Sequence, residues 1–445
     1  MEIITKNNIK KYSTYKNSGV EWLGEIPEHW EVKKMKFIGK VYAGISGKKG
    51  DDFSKEYSNG IKKFIPFTNI CNNLIINKNQ YQYVKIDEKE NQNRVKYNDI
   101  LFLMSSETLD DIAKCSIYLG NDKELYLNSF CKGFRITKTD LNPEYVNYLL
   151  SSKIYRNYFS LVGRGFTRIN LKQEFINNAT ITIPPLSEQT KIAKFLDDKT
   201  KKIDEAIAIK SQQINLLKER KQILIHKAVT RGLDTNVKLK NSGVEWIGEI
   251  PVGWLSIPFR RISSLQQGLQ IAIDKRLEEP NNDTLEYITT KSIHNPNNPK
   301  HYVTNPKENV ICDYQDVLLG RTGNTGEVVT NVRGVFHNNF FKIVYDKKKV
   351  LKDFIVYYLN TEGIQKLIML SAGVTTIPDL NHGDFLDLPF ILPPLSEQKE
   401  ISSYIEKSSE KIATAIRLKS EEISTLKEYK SSLINSVVTG KVRVC

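Results

Sequence analysis

A fifteen-residue segment, KNSGVEWLGEIPEHW beginning at Lys16, returns as KNSGVEWIGEIPVGW beginning at Lys240, 224 residues later. A second pair, PPLSEQTKI from Pro184 and PPLSEQKEI from Pro393, lies 209 residues apart. That second register continues without a gap through Lys210/Lys419, Ile214/Ile423, Leu217/Leu426 and Val229-Thr230/Val438-Thr439. Self-similarity of this density constrains the fold before any local propensity does. The chain is two copies of one unit, about 16–239 and 240–445.

The two offsets differ because the first copy carries extra residues between its motifs, which we expect between about Met104 and Asn128. Between the motifs the copies keep mostly pattern. Tyr97-Asn98-Asp99-Ile100-Leu101 stands beside Tyr314-Gln315-Asp316-Val317-Leu318, and Gly165-Phe166-Thr167-Arg168-Ile169 beside Gly373-Val374-Thr375-Thr376-Ile377. A frame that is kept around interiors that vary suits two modules reading two different targets. A duplication retained only for structure would drift everywhere.

After each PPLSEQ the pattern turns helical. Pro-Pro forbids a helix through Ile183 or Leu392, and Ser187 or Ser396 is the expected N-cap. A seven-residue register then places Ala193, Thr200, Ile207, Ile214, Lys221 and Ala228 on one seam position, with Leu196, Ile203, Lys210, Leu217 and Leu224 on the other. Copy two repeats it with Ser402, Ser409, Ile416, Ile423, Lys430 and Val437, and with Ile405, Ile412, Lys419, Leu426 and Leu433. No Gly or Pro interrupts either run before Gly232 and Gly440, so each reads as one helix of about 44 residues, ~65 Å long at 1.5 Å per residue. Two such helices bury their half-polar stripes most economically against each other, antiparallel in a two-copy chain. The seam lysines Lys210, Lys419, Lys221 and Lys430 either snorkel, specify register or dock an acidic partner helix.

The VEWxGEIPxxW motif holds all four tryptophans, Trp22, Trp30, Trp246 and Trp254, and its Gly-Glu-Ile-Pro core reads as a turn pinned by aromatic anchors. Packing is the expected role of this motif, and a catalytic role for Glu25 or Glu249 is not expected. The chain has no GxxxxGK[ST], no strand–GxGxxG–helix unit and no HExxH. Asn142-Pro143-Glu144-Tyr145 is similar to the NPPY loop of adenine methyltransferases but lacks the second Pro and any cofactor motif, so it reads as a helix start. Gly320-Arg-Thr-Gly-Asn-Thr-Gly follows an apolar run and reads as a phosphate cradle or a plain turn cluster. No catalytic residue, cofactor or metal is expected.

Charge enters here. Lys and Arg number 65 against 51 Asp and Glu, a net +14, which fits a polyanionic partner or an AT-rich genome that inflates Lys. Five cysteines, far apart and without a CxxC, fit a reducing cytoplasm. No apolar run approaches the ~18 residues of a membrane span, and the N-terminus lacks the apolar stretch of a secretory signal.

The repeated VEWxGEIPxxW, the repeated PPLSEQ helix and the two divergent interiors together resemble the specificity (S) subunit of type I restriction–modification systems, over about Lys16 to Val444. The resemblance implies an α+β architecture: two globular target recognition domains related by pseudo-twofold symmetry, separated by two long antiparallel helices forming a coiled coil. The expected boundaries are 1–185 and 236–394 for the recognition domains, and 186–235 and 395–445 for the helices. It also implies that each domain reads one half of a bipartite double-stranded DNA target in a prokaryotic cytoplasm, without a membrane. The partners implied are two methyltransferase (M) subunits and restriction (R) nuclease–translocase subunits. The helices would set the unread spacer between half-sites.

Basic charge supplies phosphate attraction and the varied interiors supply base readout. The candidates in the first interior are Lys48, Lys49, Arg164, Thr167, Arg168 and Asn170. In the second they are Gln266, Gln267, Gln270, Lys291, Arg321, Asn324, Thr375 and Thr376. Arg suits guanine and Gln or Asn suits adenine in the major groove, and for each the competing reading is a solvated loop residue. Partner docking is expected at Lys210, Lys218, Lys221, Lys419, Lys427 and Lys430. Two rival classes stay open: a bilobed coiled-coil scaffold that binds only proteins, and an autonomous DNA-binding repressor.

Overall fold

The computed structural model describes residues 10–58, 60–87, 89–165, 167–295, 297–373 and 378–444. The chain divides into two compact units, one running up to Lys210 and resuming at Glu421, the other Ser211–Ser420. Thr375 and Thr376, candidate contacts above, lie outside the described residues.

In the first unit an antiparallel sheet has the order Cys115–Ile117, Ile100–Leu103, Cys131–Ile136, Gly39–Ala43. Its strand Ile100–Leu103 is an unbroken apolar run because both faces are covered. Ile100 and Phe102 point into the core shared with the helices, while Leu101 and Leu103 point into a second core with Ile65, Ile70 and Leu127. That second core belongs to another sheet, Leu125–Leu127, Lys62–Ile65, Gln82–Val84, Phe53–Ser54, whose first pair is parallel. The second unit has the same antiparallel sheet in the order Val328–Thr330, Val317–Gly320, Phe340–Tyr345, Ser263–Gln267. Its smaller sheet is edged by Ile311–Cys312, on the opposite side from the edge strand of the first copy.

The extra length of the first copy is distributed rather than inserted once. The segment between paired antiparallel strands is 104–114 in one copy and 321–327 in the other, but 85–99 against 305–316 also differs. Several short loops have each lengthened by a few residues, which a surface tolerates at little entropic cost.

The Gly-Glu-Ile-Pro segment is a strand and not the turn. Glu25–Pro27 pairs with Tyr15–Asn17, and Glu249–Pro251 with Leu239–Asn241. The reversal is made by the preceding residues and closes at Gly24 and Gly248, which have φ of +68° and +69°. Asn142 is the N-cap of helix Pro143–Ser151, its side chain accepting from the Tyr145 N–H.

The long helices run Leu186–Arg231 and Leu395–Val438. Both start one residue before the serines expected to cap them: the Pro185 carbonyl already accepts from the N–H groups of Glu188 and Gln189. The seam residues of the heptad register are buried or half-buried throughout. In the first unit Lys210 pairs with Glu422 at 2.6 Å and Lys430 with Asp204 at 2.6 Å. Rising numbers on one helix meet falling numbers on the other, so the two segments run antiparallel. In the second unit Lys419 donates to the Gln213 side chain at 2.6 Å. Lys221 is half-buried, and Lys218 and Lys427 are exposed.

The two repeated motifs meet. Trp30 and Trp254 are buried, and their indole N–H groups donate to Glu188 and Glu397 of the PPLSEQ segments at 3.2 and 2.8 Å. The Gln that follows ties three backbone groups together. Gln189 reaches the Asn142 N–H and the carbonyls of Asp140 and Pro184; Gln398 reaches the Leu351 N–H and the carbonyls of Lys349 and Pro393. Burial raises the Glu188 carboxyl, but hydrogen bonds from Tyr12, His29 and Trp30 outweigh it and hold the group below the ordinary carboxylate value.

Candidate nucleic-acid interface

In each unit the segment after helix Lys153–Val162 or Glu362–Ser371 folds back beside the loop that leaves the central strand. Ile169-Asn170 pairs with Ser106-Ser105, and Arg164 bridges Asn170. In the second unit Thr322 bridges Asp379. The backbone frame is the same: Met104 N–H to Phe130 carbonyl and Leu171 N–H to Met104 carbonyl in one copy, Arg321 N–H to Asn339 carbonyl and Leu380 N–H to Arg321 carbonyl in the other. These bonds match Met104 with Arg321, Phe130 with Asn339 and Asn170 with Asp379. The Gly165 and Gly373 matched by sequence are therefore one residue out of structural register.

The first copy exposes Arg164, Thr167, Arg168 and Asn170 on this corner. Arg164 is turned back onto the carbonyls of Leu161 and Gly163, at 2.5 and 2.9 Å, and the Asn170 amide onto that of Arg168. The Arg168 guanidinium lies over the ring of Phe130, 4.6 Å from its centroid. With Phe130, Arg168 lines a recess of about 200 Å³ that is also bordered by Ser105, Ser106, Glu107, Thr108 and Asp111. Lys48 is ion-paired with Glu90 and its side chain is 9 % exposed, whereas Lys49 is exposed.

The second copy brings together a different set. Arg321 forms a two-pronged pair with Asp379, at 2.7 and 2.9 Å, 5.8 Å above Phe341. Asn324 donates to Glu327 and contacts His294, whose short helix Thr290–His294 also presents the exposed Lys291. Gln267 donates to the Asn338 carbonyl and contacts His382, while the Asn338 amide donates to Gln270. The side-chain amide oxygens of Gln266 and Asn338 are buried without a hydrogen-bond partner among the described residues. Burial, helped by Arg321, keeps His382 below its ordinary pKa and hence neutral near pH 7. Among the described residues no cluster of His, Cys, Asp and Glu could hold a metal, and no helix is long and apolar enough to cross a membrane.

Phe130, Asn338, Asp379 and His382 carry this geometry and were not singled out from the sequence. Only Phe130 left a usable trace: an aromatic beside a strand start, facing Asn339 in the 209-residue register.

A family model described as "Type I restriction modification DNA specificity domain" matches residues 27–219 and 268–424, one match over each copy. The chain belongs to this family. It is a type I specificity subunit with two target recognition domains, of mixed helix and strand, and the long helix Leu186–Arg231 falls between them in sequence. Among relatives, the MjaVIII type I restriction enzyme specificity subunit of Methanocaldococcus jannaschii is 24% identical over 435 residues, covering 94% of this chain and 94% of its own. The HsdS subunit crystal structure from Thermoanaerobacter tengcongensis shares the fold with TM-score 0.54 and 14% identity, over 94% and 98% of the two chains. A chain from a structural study of complex assembly and conformational transition in a type I system matches with TM-score 0.72 and 14% identity, over 93% and 98%.

Proposed function

We propose that this specificity subunit reads a bipartite double-stranded DNA target, one half-site per recognition domain. In this reading it carries no catalytic group of its own, docks two methyltransferase subunits and through them joins restriction subunits. The observation that supports it is the corner described above: one backbone frame, kept in both copies, with Met104, Phe130 and Asn170 in one and Arg321, Asn339 and Asp379 in the other. A frame held constant while the side chains on it are exchanged is what two readers of different base sequences need.

Exchange of residues 31–182 for the equivalent segment of another family member tests it. Methylation mapping of the co-expressed complex should show one half-site changed and the other retained; two altered half-sites would refute the reading. Mobility shift with and without methyltransferase subunits separates it from its rivals: binding without them marks a repressor, and binding in neither state a scaffold.

The helices supply the docking surface and the spacer in this proposal. Lys218→Glu with Lys427→Glu reverses two exposed charges at equivalent positions and should impair co-purification with methyltransferase subunits. Four residues inserted near both Gln212 and Glu421 add ~6 Å of helix while nearly preserving the seam. The preferred spacer should lengthen by one or two base pairs with unchanged half-sites; an unchanged spacer at full activity would remove the helices from that role.

A further inference from the structure

We infer that Arg168, held on the ring of Phe130, reads a guanine in the first half-site, with Phe130 as its positioning residue. The inference rests on the DNA-reading function proposed above and deepens it to one base and two side chains.

Three features single out this arginine. Its guanidinium is exposed, and among the described residues it has neither a carboxylate partner nor a hydrogen-bond acceptor. The contrast with its neighbours is direct: Arg164 spends donors on two backbone carbonyls, and Arg321 spends its Nε and Nη2 donors on Asp379. Arg168 therefore keeps its fork of N–H groups for a ligand. Second, the Phe130 ring restrains a side chain that would otherwise sample many rotamers. With the Arg168 guanidinium carbon 4.6 Å from the ring centroid, a guanidinium laid flat on the ring keeps its donor edge free, the edge that meets guanine O6 and N7 in two parallel hydrogen bonds. Third, the backbone holding it is tightly folded. Gly165 has φ of +148°, and a Cβ there would lie 1.9 Å from the Arg168 carbonyl oxygen. Any other residue at 165 would push the arginine off its ring.

The second domain cannot build the same reader. The position equivalent to Phe130 is Asn339, and its corner arginine arises from the other strand, at Arg321, which lies 5.8 Å from the Phe341 ring but spends its Nε and Nη2 donors on Asp379. The guanine is thus assigned to the first half-site specifically.

Phosphate binding is the competing use of an exposed arginine, and lysine tells the two apart. Lysine keeps the charge but cannot stack as a planar fork or donate in parallel. The test uses the subunit co-expressed with its methyltransferase subunits, a mapped target, and duplexes with each base pair of the first half-site substituted in turn. Arg168→Lys should keep non-specific affinity yet lose about 5- to 150-fold preference for guanine at one position. Phe130→Ala should lose much of that same preference, and Phe130→Tyr should restore it, an outcome that mere folding support would not give at a single base pair. Second half-site discrimination must stay intact in every variant, which certifies the fold. The inference is overturned if Arg168→Lys and Arg168→Ala leave first-half-site preferences unchanged. It is equally overturned if Arg168→Ala weakens all sequences alike and lowers the salt slope by about one, since that marks a phosphate contact. Absence of any sequence-specific binding in the unmutated complex would instead refute the DNA-reading function itself.

Discussion

At one corner of the first domain a buried methionine, a half-exposed phenylalanine and an asparagine surround an open arginine. At the matching corner of the second, an arginine is closed onto an aspartate beside an asparagine. Behind both corners the backbone bonds are the same, and so are the Trp–Glu contact and the three-way Gln tie that fasten each domain to its helix. The difference teaches where each copy is free to change. Buried groups whose hydrogen bonds are all used are costly to alter, because a lost partner leaves the other unsatisfied. Side chains at the rim of the corner carry no such penalty and can be exchanged for chemistry.

The comparison breaks most visibly if its constant part is unequal. Trp30→Ala and Trp254→Ala remove fully buried indoles and should each destabilise the unit that contains them by about 3–5 kcal/mol. Hydrogen exchange resolved by unit would read this, and a large loss in one copy with none in the other would contradict a shared frame.

The helix ends sharpen it. Gly440 and Gly232 both have φ of +74°, so an alanine at either costs about 1–2 kcal/mol from backbone conformation alone. A Cβ at Gly440 would also come within 2.4 Å of Pro27, whereas at Gly232 the nearest atom is Trp254 at 3.1 Å. Gly440→Ala should therefore be the more destabilising substitution in thermal melts; equal shifts would mean that Pro27 yields freely.

Acid separates the copies as well, since Tyr12 and His29 reach Glu188 in the first unit. A carboxylate whose pKa is lowered on folding stabilises the fold above its unfolded value, and that contribution fades as pH falls through the lower folded one. The first unit should lose stability below the ordinary carboxylate range, and Glu188→Gln should flatten that dependence in a pH series of urea midpoints. An unaltered pH profile would assign the acid sensitivity elsewhere.

The smallest effect lies on the helix seam. Lys430 is paired across it with Asp204, while the 209-residue register puts Ala413 opposite Lys221. Lys430→Ala should cost ~0.2–1 kcal/mol, screened by salt, and Lys221→Ala less. Salt-dependent unfolding of the two variants would show whether the ion pair fixes register or merely decorates it.

The division of the chain into two copies, the two long helices and their antiparallel seam were all legible in the residues. Each rests on periodicity or identity that a linear string displays: PPLSEQ twice, apolar residues on a seven-residue register, no Gly or Pro for over forty residues. The packing role of the tryptophans was equally plain, Trp30 and Trp254 being buried and Trp22 and Trp246 half-buried, because large apolar side chains inside a repeated motif have few other fates. Tertiary structure alone decided which polar side chains are available. Lys48 has the charge of a phosphate contact until Glu90, 42 residues away, folds against it. Arg168 and Arg321 look alike in sequence, yet one meets a ring from residue 130 and the other a carboxylate from residue 379. Availability depends on partners supplied by distant strands at separations of a few ångströms, and strand register, which brings those partners together, leaves no periodic trace in loops of varied length.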